Sequence, residues 1–107
     1  MKTYRLAAAV ITCVLAIGAQ AADGDPEAGK LKFKTCLGCH GIPGYKNTYP
    51  TYHVPRVGGQ HPDYIIAALQ AYKSGQRSHK TMVAQAASLS EQDMADIAAY
   101  LSTAPAD

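Results

Sequence analysis

Two cysteines three positions apart, with a histidine directly after the second, constrain this chain more than any other feature: Cys36-Leu37-Gly38-Cys39-His40. Several chemistries use cysteine pairs of this spacing. A redox dithiol wants a preceding strand and a βαβ setting, and no strand pattern precedes Cys36. A zinc site needs a fourth ligand, and exported cysteine pairs are seldom zinc sites. A plain disulfide leaves His40 without a purpose. Covalent haem attachment uses every member. Two thiols at this spacing add to the two vinyl groups on one side of a porphyrin, and the next histidine falls under the ring centre, where it binds iron. The motif is read as a site for one haem c, with Cys36 and Cys39 as thioethers and His40 as an iron ligand.

A chain of 107 residues is one domain, and it holds no Trp and one Phe. So small a core usually needs a staple, and an apolar cofactor that becomes part of the core is one. With 48% hydrophobic residues the chain is no disordered tail, and a net charge of +2 is too small to argue for nucleic acid.

The N-terminus reads as an address. Lys2 and Arg5 precede an almost wholly apolar run, Leu6 to Ile17, and Gly18-Ala19-Gln20-Ala21 offers the small residues that signal peptidase reads. The run is well short of the roughly 20 residues that span a bilayer. Residues 1–21 are expected to be a cleaved signal peptide, and residues 22–107 the haem domain, exported to the periplasm with no membrane span. Cleavage removes Cys13 and leaves eight basic residues facing eight acidic ones.

The expected class is all-α, with three main helices and long loops around the haem. Asp25-Pro26-Glu27 caps the first helix, which should run to about Thr35. His61-Pro62-Asp63 opens the second, with Ile65, Leu69 and Tyr72 as its stripe and Gly75 as its stop. Ser90 and Asp93 have capping-box spacing and open the third, with Met94, Ile97 and Leu101 inward. No stretch alternates cleanly enough to be a strand. Gly41 to Gln60 and Gln76 to Ser88 are expected to be loops wrapping the haem.

The second iron ligand is sought among Met82, Met94, His53, His61 and His79. Met94 belongs to a helical stripe and reads as core filler. His53 and His61 sit beside prolines and read as turn residues. Met82, in a polar stretch, has less reason to exist as packing, and is preferred to His79.

These residues resemble a class I c-type cytochrome, and most of all one haem domain of the cytochrome c4 group. The resemblance rests on Gly29-Lys-Leu-Lys-Phe33 before the motif, Pro55-Arg-Val-Gly-Gly59-Gln60, Tyr72-Lys-Ser-Gly75-x-Arg77, Met82, and Leu89-Ser-x-x-Asp93 through Tyr100. It covers nearly all of the mature chain. It implies His40 and Met82 as axial ligands, a hydrogen bond from His40 to the Pro55 carbonyl, and a crossing of first and last helices at Gly29 near Phe33 and Tyr100. One departure is that cytochromes c4 carry two haem domains, while this chain has a single C-x-x-C-H.

Iron closed by His and Met favours outer-sphere electron transfer over oxygen or peroxide chemistry. The expected protein is a soluble periplasmic one-electron carrier between redox proteins of a respiratory chain, not an enzyme, monomeric or in transient complexes. The rivals are a cytochrome subunit of a dehydrogenase, a haem enzyme or gas sensor, and a thiol-disulfide oxidoreductase using Cys36 and Cys39. Lys30, Lys32, Lys34, Lys46, Lys73 and Lys80 are the candidates for steering acidic partners.

Overall fold

Asp25 starts the first helix. Its side chain accepts hydrogen bonds from the Glu27 and Ala28 N–H groups, and Pro26 takes the first helical position. The structure, a computed structural model, describes residues 23–49 and 51–105, so the expected signal peptide lies outside the described residues. In order, the elements are α1 (Pro26–Lys32), a 3₁₀ turn (Phe33–Thr35), α2 (Leu37–His40), β1 (Lys46–Thr48), β2 (Thr51–His53), α3 (Pro62–Ser74), α4 (Lys80–Ala87) and α5 (Glu91–Thr103). Among the described residues, no helix is long and apolar enough to cross a membrane.

The fold is mostly helical, as expected, but three details differ. The first helix stops at Lys32 rather than Thr35, because the chain tightens: the Cys36 N–H reaches the Phe33 carbonyl oxygen at 2.8 Å. The Thr35 hydroxyl donates to the Lys32 carbonyl, competing with helix continuation. The expected loop 76–88 contains α4, capped by His79, whose Nδ1 accepts from the Met82 N–H at 3.3 Å. Eight residues are too few for a clear apolar period, and histidine is not among the usual caps. The expected loop 41–60 contains an antiparallel hairpin, Lys46 opposite His53, Asn47 opposite Tyr52 and Thr48 opposite Thr51. Strands of three residues are shorter than the alternation a sequence reading needs, although their Thr and Tyr content suits a pleat.

The core forms where α1 and α3 meet α5. Phe33, Ile65, Ile97, Ala98 and Leu101 are buried together, and Met94 is fully buried on the same helix as the last three. Gly29 sets the crossing of α1 and α5: a Cβ there would lie 1.9 Å from the Asp96 carbonyl oxygen. One turn on, the Phe33 and Tyr100 rings pack with centroids 5.8 Å apart. The expected capping box is present, Ser90 and Asp93 bonding reciprocally, and Gly75 ends α3 in the left-handed conformation.

A polar clamp ties the same helices. Asp96 is only 3% exposed, so its charge needs partners. It accepts from the Asp25 N–H at 2.8 Å, from Gln92 Nε2 at 2.8 Å and from Lys32 Nζ at 2.5 Å. Lys32 also reaches Asp93 at 2.7 Å. Lys32, with the Ser90 groups, holds the Asp93 carboxyl down at about 2, and Lys32, with the Asp25 N–H and Gln92, holds Asp96 below its ordinary value. A carboxylate whose folded pKa is depressed contributes stability above its unfolded pKa and loses it as pH falls through the folded one. The denaturant midpoint of the wild type should therefore fall as pH drops from 5 toward 2, and Asp93→Asn should flatten that fall. Equal acid losses in both proteins would exclude this clamp as a source of acid lability.

Candidate cofactor site

The C-x-x-C-H motif folds as a helical turn. The His40 N–H bonds the Cys36 carbonyl at 2.8 Å and the Gly41 N–H bonds that of Leu37 at 3.0 Å. Positions i, i+3 and i+4 share one helical face, so this turn presents Cys36, Cys39 and His40 together. All three line one cavity of ≈ 590 Å³. Its apolar walls include Phe33, Ile65 and Leu69, and Ile97 and Leu101 from α5.

His40 is oriented by a backbone partner. Its Nδ1 lies 2.6 Å from the Pro55 carbonyl oxygen, which can only accept, so Nδ1 carries the proton. In the neutral ring Nε2 is then the nitrogen with a lone pair for a metal. The chain reaches Pro55 directly from the hairpin, whose base is closed by the Val54 N–H to the Tyr45 carbonyl at 3.0 Å.

Cys36 and Cys39 are half-buried and are not joined in a disulfide. Burial pushes the Cys36 thiol above its ordinary value, against the Thr35 hydroxyl, which pulls the other way, and with a small addition from Cys39.

Met82 lies in the first turn of α4, half-buried, and lines the same cavity as His40. Met94 is in the core, away from it. His61 caps α3 by accepting from the Asp63 N–H, and His53 is exposed on β2 at the cavity rim. His79 also lines the cavity, with its Nδ1 engaged as the α4 cap. The sequence reading passed over two cationic members of the wall, Arg56 and Arg77, the latter lying over the Tyr72 ring at 4.5 Å. Among the described residues, no Asp or Glu lines this cavity. An apolar cleft with two thiols, an oriented imidazole, a thioether and two cations suits a flat apolar ring bearing two carboxylates, and haem c is such a group.

Known proteins point the same way. The family model for cytochrome c matches residues 26–105, and the chain belongs to the cytochrome c family, whose domains carry one covalently bound haem c. Within the family it resembles the haem domains of cytochrome c4. It is 40% identical over 83 residues to cytochrome c4 of Thiocapsa roseopersicina, a match that spans 77% of this chain and 41% of that one. It is 41% identical over 83 residues to cytochrome c-554(548) of Halomonas halodenitrificans, covering 75% of this chain and 96% of that one. Among solved structures, the cytochrome c4 of Acidithiobacillus ferrooxidans superposes with a TM-score of 0.60 at 27% identity, covering 80% of this chain and 52% of that one. The chain thus spans about half the length, or less, of these cytochromes c4.

Proposed function

We propose that this protein is a monohaem electron carrier of the periplasm, passing single electrons between redox proteins. The observation that carries the reading is the C-x-x-C-H turn and Met82 lining one apolar cavity. Bound there, haem c supplies a one-electron iron couple. Cys36 and Cys39 would hold its edge as thioethers. His40, oriented by Pro55, and Met82 would hold the iron from two sides, leaving no position for water or oxygen. Arg56 and Arg77 would pair with the two propionates. The buried aliphatic wall of α3 and α5 excludes water, so little solvent reorganises when charge changes.

Two of the lysines considered for steering are engaged inside the fold: Lys32 with Asp93 and Asp96, and Lys73 with the Leu89 carbonyl. Export to the periplasm rests on the N-terminal pattern of residues 1–21. A second reading, a cytochrome subunit of a dehydrogenase, is favoured by Leu37 and Ile42, each 45% exposed and flanking the motif histidine in sequence. Gel filtration of the protein from its native host separates the two, a free carrier eluting alone.

The test is attachment and stoichiometry. Exported protein should keep its haem through acid-acetone extraction and denaturing electrophoresis. Cys36→Ser or Cys39→Ser should weaken that retention, and the double variant should lose it. Redox titration should follow a one-electron slope, about 59 mV per decade. Colour that extracts cleanly from the wild type, or ready carbon monoxide binding by the reduced protein, would remove the closed-carrier reading.

A further inference from the structure

Four side chains from two distant parts of the chain meet at one wall of the cavity: Tyr52 on β2, and His79, Thr81 and Met82 at the start of α4. The Tyr52 ring stands edge-on to the His79 ring, centroids 4.7 Å apart and planes at 87°. The Tyr52 hydroxyl lies 3.3 Å from Thr81 Oγ1. His79 in turn accepts from the Met82 N–H through Nδ1, and its carbonyl accepts from the Val83 N–H at 2.8 Å. Three residues beyond Tyr52, the Pro55 carbonyl accepts from His40. One extended segment, residues 52–55, therefore engages the residues that carry both candidate iron ligands.

We propose that Tyr52 is a positioning residue: acting through His79 and Thr81, it holds the first turn of α4 at the cavity and so sets how firmly the Met82 sulfur stays on the haem iron. The proposal rests on the reading of Met82 as the distal ligand. The need for such a strap follows from the size of α4. A helix of eight residues is marginal by itself, and α3 is its main helical support. Tyr52 adds a ring contact and a hydroxyl bond from outside the helical layer, both at the turn that carries Met82. The hairpin thereby acquires a role, since it brings an aromatic side chain to the ligand turn.

The test uses the oxidised holoprotein, imidazole as a competing iron ligand, the weak red band of a methionine–ferric bond, and the midpoint potential. In Tyr52→Ala, imidazole should bind on the order of ten-fold more tightly, the size expected for losing one aromatic contact and one weak hydrogen bond. The red band should weaken and the potential fall. Tyr52→Phe keeps the ring over His79 and should restore most of all three. Tyr49→Ala, at a position 95% exposed next to β1, should change none of them, which separates the specific contact from general loosening of the hairpin. If Tyr52→Ala yields no folded holoprotein, Thr81→Val, which removes only the hydroxyl partner, should tighten imidazole binding a few-fold. Wild-type imidazole affinity and band in Tyr52→Ala, or in Thr81→Val where that variant carries the test, overturn the proposal, as does an effect of Tyr49→Ala equal to that of Tyr52→Ala. Met82→Ala is measured alongside: it must abolish the band, and a surviving band shows that the ligand reading itself has failed rather than the strap alone.

Discussion

Met82→Ala should abolish the red absorption band, open the iron to carbon monoxide in the reduced protein and lower the potential, within the ~0.8 V range that axial ligands span. Met94→Ala should do the reverse. Met94 is fully buried on α5, so truncation leaves a cavity and costs about 2–5 kcal/mol. The red band should survive it. One substitution thus reads out in the visible spectrum and the other in the melting curve. If His79→Ala rather than Met82→Ala changed the ligand field, the α4 cap would be the ligand and the reading of Met82 would fail.

Gly29→Ala should be strongly damaging. The added carbon would lie 1.9 Å from the Asp96 carbonyl oxygen and 2.5 Å from its carbon, both backbone atoms of the facing helix. No rotamer change relieves a clash between two backbones, so α1 and α5 must separate. The cost should be about 3 kcal/mol or more, against a gain of at most ~1 kcal/mol from helix propensity. For a domain of this size that lowers the melting temperature by roughly 10 °C or more. Gly38→Ala is the internal control, because a Cβ there meets no protein atom within 4 Å. It should leave the melting temperature within a few degrees of wild type. Similar losses in the two variants would mean that the α1–α5 crossing does not depend on close approach.

The helical parts of the architecture were legible because their signals are local. Asp25-Pro26 and His61-Pro62 write helix starts into adjacent residues, as Ser90 and Asp93 do at capping-box spacing. The stripe of Ile97 and Leu101 follows the helical period. What escaped was short: α4 with eight residues and a hairpin with strands of three. Elements of that size take their conformation from what they pack against, and a period needs length to show.

The site divides along the same line. C-x-x-C-H marks itself, since helical geometry alone puts Cys36, Cys39 and His40 on one face whatever the remaining chain does. The contact between His40 and Pro55 came from the family pattern, not from spacing, because a separation of fifteen positions says nothing local about where a carbonyl will lie. Arg56 and Arg77 entered the sequence reading only as members of the family pattern, and it is the fold that places them on a wall without a carboxylate. Tyr52 belonged to an expected loop and His79 was the less favoured ligand until their rings met. The sequence by itself determined the starts of α1, α3 and α5, the attachment turn and the resemblance to the family. Only the tertiary structure decided which distant residues share the cavity wall, because that depends on loop closure and side-chain packing across the whole chain, and neither leaves a trace in the order of neighbouring residues.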